Sequence, residues 1–193
     1  MTLRLRRVCV FCGSNTGSDA AFAAAARALG EALVRDGRHL VYGGGRVGLM
    51  GVLADAVLAG GGTVTGVIPE SLAAREVAHR GLTQLRIVTS MHTRKALMSE
   101  LADAFVALPG GFGTLDELFE IVTWAQLGMH TKPIGLLDVN GYYGSLLAFA
   151  DRCLADGFVR PEHRDLLLVD SSAERLLARL DASAPLPAVS KWT

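Results

Sequence analysis

The segment 108–120, L-P-G-G-F-G-T-L-D-E-L-F-E, combines a glycine-rich turn with acidic side chains in a pattern that could do chemistry. Glycines let a ligand approach the backbone because they carry no Cβ atom. A helix predicted to begin at Thr114 offers unpaired N–H groups and a partial positive charge to an anion. Asp116, Glu117 and Glu120 then place carboxylates beside that anion site. Phosphate binding alone does not require carboxylates, so the segment indicates that a bond in a phosphate-bearing molecule is broken.

A second segment, S-M-H-T-R-K at 90–95, puts Arg94 and Lys95 in the first turn of another predicted helix. Cations there face the positive end of the helix dipole, which costs roughly 0.3–1 kcal/mol each at exposed sites. Either both side chains are solvated and pair with Glu100 or Asp103, or a ligand supplies the anion. The ligand interpretation is favoured because two adjacent cations directly follow a predicted strand.

Glu117 has a structural alternative to a catalytic role. The run T-L-D-E at 114–117 is a capping box, in which Glu117 would fold back on the N–H of Thr114. Sequence spacing does not separate capping from catalysis, and both interpretations stay open.

The loop G-G-G-R-V-G at 43–48 satisfies the dinucleotide pattern G-x-G-x-x-G, and Glu70 lies about where a ribose-binding acid is expected. The pattern alone is weak, because the same glycines could let a helix pack tightly on the sheet or hold a mononucleotide. A nicotinamide-dependent oxidoreductase would also need a hydride-transfer site, and none is recognisable.

Apolar strands that alternate with helices must position these residues. Such strands, with no polar alternation, predict an α/β fold: a single Rossmann-like doubly wound parallel sheet flanked by helices on both faces. Three glycine-rich loops (13–17, 43–48 and 110–113) follow predicted strands, at the edge where such sheets bind ligands. We predict one nucleotide-binding domain over 1–182 and a loosely ordered tail over 183–193. The predicted strands are 7–12, 39–42, 63–68, 85–88, 104–108, 133–137 and 166–169. The first predicted helix is capped by Ser18 or Asp19 and ends at about 35. The other predicted helices cover 47–59, 91–101, 114–127, 142–155 and 173–180.

Composition excludes several classes of function. The 193 residues carry 19 basic and 19 acidic side chains, so nothing attracts nucleic acid or an anionic membrane in general. Three cysteines do not form a disulfide framework, and Cys9 and Cys12 are expected on opposite faces of a strand rather than in a metal or redox site. No segment approaches the ~20 apolar residues of a membrane span. We therefore expect a cytoplasmic protein without metal or cofactor.

Motifs along residues 7–165 resemble the Lonely Guy (LOG) family of cytokinin riboside 5′-monophosphate phosphoribohydrolases, whose members were often mislabelled lysine decarboxylases. The central match is P-G-G-F-G-T-L-D-E at 109–117, in which Phe112 fills a variable position and Asp116 stands where glutamate is common. The other matching motifs are G-G-G-R-V-G-L-M-G (43–51), V-I-P-E-S-L (67–72), R-E-V (75–77), M-H-T-R-K (91–95), T-W-A-Q-L-G-M-H (123–130) and K-P-I-G-L-L (132–137).

The resemblance implies hydrolysis of the N-glycosidic bond of an adenosine 5′-monophosphate, N6-modified or plain, to free base and ribose 5-phosphate. It implies catalytic roles for Arg94 and Glu117, and a homodimer as the assembly. The predicted substrate-binding residues are Ser14, Gly45, Glu76, Arg94, Lys95, Gly110, Gly111, Phe112, Gly113, Thr114, Leu115, Asp116 and Thr123. A nucleotide-sensing protein that uses the same loops without hydrolysis remains the alternative, and an oxidoreductase is less favoured.

Overall fold

Short apolar strands form the centre of the fold and pair in parallel throughout. The structure is a computed structural model that describes residues 5–74 and 77–183. Within those ranges the sheet has seven strands. They are β1 (Arg7–Phe11), β2 (His39–Tyr42), β3 (Val64–Pro69), β4 (Gln84–Val88), β5 (Ala104–Ala107), β6 (Ile134–Leu137) and β7 (Leu167–Asp170).

Helices connect these strands and begin and end close to the predicted positions. They are α1 (Ala20–Arg35), α2 (Gly48–Ala59), α3 (Glu70–Ala73), α4 (Met91–Leu101), α5 (Phe112–Gln126), α6 (Gly144–Ala155), α7 (Pro161–Arg164) and α8 (Ala173–Ala182). Asp19 caps α1 through the N–H of Ala21, as expected. The short helices α3 and α7 were not predicted.

The strand order is β4-β3-β2-β1-β5-β6-β7, which confirms the doubly wound sheet. The chain starts in the middle at β1, winds outward to β4, and returns through α4 to place β5 on the other side of β1. The carboxyl ends of β1 and β5 therefore diverge into loops that run in opposite directions. Doubly wound sheets bind their ligands at this switch point.

Two apolar cores sandwich the sheet, one on each face. On one face α1, α2 and α8 contribute residues such as Leu29, Leu53 and Leu176. On the other face α4 and α5 contribute Met98 and Leu118. Cys9 belongs to the second core and Cys12 to the first, and both are free thiols, so their predicted placement on opposite faces is confirmed.

Some predictions concern residues that are not described. The tail predicted over 183–193 lies outside the described residues except for Ser183, and so does Glu76. Within the described ranges, no helix combines the length and the apolar character that crossing a membrane requires.

Candidate active site

A cavity of about 590 Å³ opens at the switch point. Its wall is formed by the loop after β1, by the turn after β5 with the start of α5, and by the loop after β2. All three glycine-rich loops of the sequence analysis therefore meet at one cavity. This convergence is what the rule for parallel sheets predicts.

The turn between β5 and α5 is possible only with glycine at position 110. A Cβ atom on Gly110 would overlap Oγ1 of Thr114 and would lie 2.8 Å from the backbone nitrogen of Gly13. The backbone N–H of Gly13 donates to the carbonyl of Pro109 at 3.1 Å. The loops after β1 and β5 are thus in direct backbone contact and form one continuous wall of the cavity.

Helix α5 presents an uncapped N-terminus to this cavity. Its N-cap is Gly111, which has no side chain with which to make a capping hydrogen bond. The first N–H groups of a helix have no acceptor within it, so an anion can accept from them. By contrast, Ser90 caps α4 through the N–H of Thr93, at 3.1 Å.

Of the two roles left open for Glu117, the structure does not show the capping box with Thr114. Helix α5 begins at Phe112 rather than at Thr114, so Thr114 lies inside the helix and is buried. Glu117 turns toward α4 instead of folding back on the helix start: its Oε1 lies 3.0 Å from Nη1 of Arg94.

Two backbone carbonyls and the carboxylate of Glu117 hold the guanidinium of Arg94. Its Nε donates to the carbonyl of Val67 at 3.0 Å, and its Nη2 donates to the carbonyl of Gly43 at 3.3 Å. The side chain is only 9% exposed, as is that of Glu117. The guanidinium therefore links the ends of two strands to α5 and has one fixed orientation at the cavity wall.

Gly43 is the residue that admits Arg94 to this position. A Cβ atom on Gly43 would overlap Nη2 of Arg94 and would lie 3.3 Å from the sulfur of Met50. The first glycine of the 43–48 loop is therefore required by a side chain of the site, whereas Glu70 is exposed and does not line the cavity. This arrangement does not support a dinucleotide fingerprint.

Glu117 is an unusual carboxyl group because it is buried and also close to a cation. Burial raises the pKa of Glu117 above its ordinary value, and the charge of Arg94 offsets only part of that effect. A carboxylate in such a place holds its proton more readily than a surface glutamate and is a stronger base when ionised. These are the properties that acid–base chemistry uses.

Lys95 pairs with carboxylates of α5 beside the Arg94–Glu117 pair. Its Nζ lies 3.0 Å from Oδ2 of Asp116 and 3.0 Å from Oε2 of Glu120. Burial alone would lower the pKa of Lys95, but its hydrogen bonds to these two carboxylates raise it. Helix α5 therefore supplies carboxylate partners to both cations, one to Arg94 and two to Lys95.

The structure brings most of the predicted residues to the cavity but not all of them. Arg94 and Glu117 line it, and so do the predicted substrate-binding residues Ser14, Gly45, Gly110, Gly111, Phe112, Gly113 and Thr114. Lys95 does not line the cavity. Leu115, Asp116 and Thr123 lie on the outer side of α5, where they line a shallow groove.

Several cavity residues were missed by sequence reasoning. Phe22 and Tyr142 form an aromatic pair at one end, with ring centroids 5.6 Å apart. Cys12 also lines the cavity, and burial raises the pKa of its thiol. Tyr142 follows the carboxyl end of β6, so the rule that located the glycine loops could have indicated it.

The titratable side chains in the described ranges do not form a metal site. No group of three or more His, Cys, Asp or Glu residues in 5–74 and 77–183 lies close enough to hold an ion. Arg94 and Glu117 remain the charged pair of the cavity wall.

Comparison with known proteins decides the family. Residues 50–180 match the family model described as "Possible lysine decarboxylase". A probable cytokinin riboside 5′-monophosphate phosphoribohydrolase of Oryza sativa subsp. japonica is 53% identical over 184 residues, which cover 95% of this chain and 75% of that protein. The chain belongs to the LOG family. A second LOG protein, a cytokinin riboside 5′-monophosphate phosphoribohydrolase of Arabidopsis thaliana, is 48% identical over 182 residues, or 94% of this chain and 85% of the relative.

Solved structures share this fold at low sequence identity. The molybdenum cofactor carrier protein of Chlamydomonas reinhardtii superposes with a TM-score of 0.71 at 20% identity, covering 93% of this chain and 100% of that one. The molybdenum cofactor binding protein of Rippkaea orientalis gives a TM-score of 0.71 at 18% identity, covering 93% of this chain and 98% of that one. At such identities the likeness concerns the fold alone.

Proposed function

We propose that this LOG family member hydrolyses the N-glycosidic bond of a nucleoside 5′-monophosphate, in particular an N6-modified or plain adenosine monophosphate. The products are the free base and ribose 5-phosphate. The observation that carries the proposal is the buried Arg94–Glu117 pair, 3.0 Å between charged atoms, in the wall of a cavity that also contains the open start of α5. The names of the relatives, about half identical to this chain, support the same reaction.

The substrate phosphate would bind at the start of α5. The N–H groups from Gly111 to Thr114 and the positive end of the helix dipole suit a dianion, and the missing side-chain cap leaves them accessible. Glu117 lies within the next turn of the same helix, so a phosphate held there places the ribose beside its carboxylate. Binding energy from the phosphate is then available to orient the bond that breaks.

Glu117 would act on the anomeric carbon of the ribose. In the reaction the bond from C1′ to the base nitrogen breaks, water supplies a hydroxyl to C1′, and the leaving base takes up a proton. Its transition state resembles an oxocarbenium ion, as in O-glycoside hydrolysis. The carboxylate can stabilise that positive charge or remove a proton from the attacking water, and its buried position strengthens either effect.

Arg94 would orient Glu117 and the substrate rather than transfer a proton. A guanidinium stays protonated in proteins, so it is a poor general acid. Its hydrogen bonds to Val67 and Gly43 fix its position before substrate arrives. Its charge can then stabilise negative charge that develops on the departing base.

The base would occupy the end of the cavity near Gly43. Met50 lies beside Gly43, and the cavity lining also includes the apolar side chains of Ile68, Leu72 and Val77. An adenine with an apolar N6 substituent suits these side chains, which supports N6-modified adenosine monophosphate as a substrate.

The experiment is product analysis with AMP and N6-isopentenyl-AMP. Purified protein should release free base and ribose 5-phosphate in equal amounts, as measured by chromatography, and Glu117→Gln should not. The matching nucleosides without phosphate should react far more slowly. If the nucleotides bind but no base appears, the protein is a nucleotide-binding protein and the proposed hydrolysis is wrong.

The activity named for the matching family, a possible lysine decarboxylase, fits the cavity poorly. Decarboxylases that use pyridoxal phosphate hold it on a lysine as a Schiff base. Of the described lysines, Lys95 pairs with two carboxylates and Lys132 donates to the carbonyl of Ser99 at 2.7 Å, and neither lines the cavity. The residues present therefore do not suit that cofactor.

We also propose that the chain acts as a homodimer in the cytoplasm, where its three free thiols would stay reduced. On the outer side of α5, Phe119 is 43% exposed and lines a groove of about 520 Å³, and Leu127, directly after the helix, is 42% exposed. Phe112, 93% exposed, lines both this groove and the cavity, so a second copy seated there would adjoin the site. In such a dimer the predicted residues Leu115 and Thr123, which line the groove rather than the cavity, would face the second copy.

Sedimentation equilibrium tests the dimer. Phe119→Arg should convert the protein to a monomer. Phe149→Arg, which introduces the same charge at an exposed phenylalanine of α6, should not. A wild-type protein that sediments as a monomer at micromolar concentration would refute the proposed assembly.

A further inference from the structure

Two adjacent tyrosines after β6 bind the backbone on either side of Pro109. The hydroxyl of Tyr143 donates to the carbonyl of Leu108 at 2.6 Å, and the hydroxyl of Tyr142 donates to the carbonyl of Gly110 at 2.5 Å. The carbonyl between them, that of Pro109, accepts from the N–H of Gly13. Three consecutive carbonyls of the turn before α5 therefore have fixed partners.

The Tyr142 contact fixes the direction of an N–H group as well as that of a carbonyl. In a trans peptide unit the C=O and the following N–H lie in one plane and point in opposite directions. The carbonyl of Gly110 and the N–H of Gly111 belong to the same unit. Because two glycines flank this unit, their own conformational preferences do little to hold it.

The tyrosines are held in place by the rest of their loop. The N–H of Tyr143 donates to Oδ1 of Asp138 at 2.8 Å, and the side-chain amide of Asn140 donates to Oδ2 of Asp19 at 2.9 Å. The Tyr142 ring also packs edge-on against Tyr143, with centroids 5.2 Å apart. The hydroxyl of Tyr142 thus reaches Gly110 from a fixed support.

We propose that Tyr142 is a positioning residue for substrate phosphate. Its hydroxyl holds the Gly110–Gly111 peptide so that the N–H of Gly111 joins those at the start of α5 as a ready-made phosphate site. This rests on the proposed function in one respect, that the phosphate binds at this turn. Tyr143, 1% exposed, anchors the same turn from within the core, whereas Tyr142 is 43% exposed and its hydroxyl contributes less to the fold.

Tyr142→Phe tests the proposal because it removes the hydroxyl and keeps the ring. One lost hydrogen bond should raise the dissociation constant for ribose 5-phosphate about fivefold, and the KM for AMP by a similar factor. The value of kcat should stay near that of wild type, since the phosphate is bound equally in ground and transition states. Inhibition by free adenine, which lacks a phosphate, should not change, and a general structural defect would change it.

Tyr142→Leu separates the hydroxyl from the ring. If Tyr142→Phe binds ribose 5-phosphate like wild type and only Tyr142→Leu loses affinity, the ring contacts substrate and the proposal is wrong. Equal affinity in all three proteins also overturns it.

Direct titration with ribose 5-phosphate keeps this test independent of turnover. If wild type releases no base from AMP but binds ribose 5-phosphate, and Tyr142→Phe weakens that binding, the hydrolysis proposal fails and the role of Tyr142 stands. If wild type hydrolyses AMP and Tyr142→Phe has an unchanged KM, the role of Tyr142 fails and the hydrolysis stands.

Discussion

Nη1 of Arg94 and Oε1 of Glu117 lie 3.0 Å apart, on helices that the sheet topology brings together from either side of the switch point. Helix α4 follows the edge strand β4, and α5 follows the central strand β5. Because α4 carries the chain back beneath β3 and β2, its first turn reaches the ends of those strands and also faces α5. The pair thus depends on the winding of the whole sheet.

Glu117→Gln should lower kcat by at least about 100-fold, since it removes a group that acts in the transition state. The amide can still accept from Arg94, which also keeps its bonds to the carbonyls of Val67 and Gly43, so the free energy of unfolding should change much less than in Arg94→Ala. Steady-state kinetics with AMP and urea denaturation measure both quantities. Glu100→Gln, an exposed position on α4, is the control and should be fully active. Normal turnover in Glu117→Gln would refute its catalytic assignment.

Arg94→Ala should abolish activity and also destabilise the protein. Removing one member of a buried ion pair costs about 3 kcal/mol or more, because Glu117 is left as an unpaired buried charge. Arg152→Ala is the control: it breaks an exposed pair with Asp156, which contributes less than about 1 kcal/mol. Urea denaturation of both variants measures the difference. Equal stability of the two would contradict the role of Arg94 as a buried link.

The pH dependence of kcat/KM should reveal the raised pKa of Glu117. An ionised carboxylate is required, so the rate should fall as the pH is lowered through that pKa, at a midpoint above the ordinary value of 4.5. Burial favours the protonated form in the folded protein. This group therefore contributes stability below its unfolded pKa, and that contribution is lost as the pH rises through the folded pKa. The residual activity of Glu117→Gln should not show this fall in kcat/KM at low pH. If the fall persists in that variant, another group causes it.

Gly43→Ala should slow turnover although position 43 need not touch the substrate. The new methyl group would displace Nη2 of Arg94 and break its bond to the Gly43 carbonyl. A catalytic group moved by about 1 Å can cost up to about 100-fold in rate. Gly144→Ala is the control, because a Cβ atom there meets nothing within 4 Å. Unchanged kcat in Gly43→Ala would show that the position of Arg94 is not critical.

Sequence periodicity predicted the sheet and the principal helices because the strands are continuously apolar and the helices are long. It placed the start of α5 at Thr114, since T-x-x-E is a strong local capping signal. In the structure the helix begins at Phe112, and Glu117 pairs with Arg94 across the chain. A long-range ion pair has no local signature, so spacing alone could not decide between the two roles of Glu117.

The same limit explains the predictions for Lys95 and Tyr142. The position of Lys95 at a helix start indicated an anion, but no sequence rule could say that Asp116 and Glu120 supply it. Tyr142 reaches the turn before α5 only because β6 is the neighbour of β5 in the sheet. Glycine-rich loops can be predicted from composition, whereas the side chains that support them can be identified only once the strand order is known.

The bonds from Arg94 to Val67 and Gly43 have a consequence for how this enzyme could acquire new substrates. Val67 lies in β3 and Gly43 directly follows β2, and Gly43 and Ile68 line the cavity, so the segments that hold Arg94 also shape the proposed base pocket. An insertion or a backbone shift there would displace Arg94 and lower kcat. Natural or directed evolution toward a different base should therefore proceed through side-chain changes at positions such as Met50 and Leu72, and leave the backbone of both strand ends unaltered.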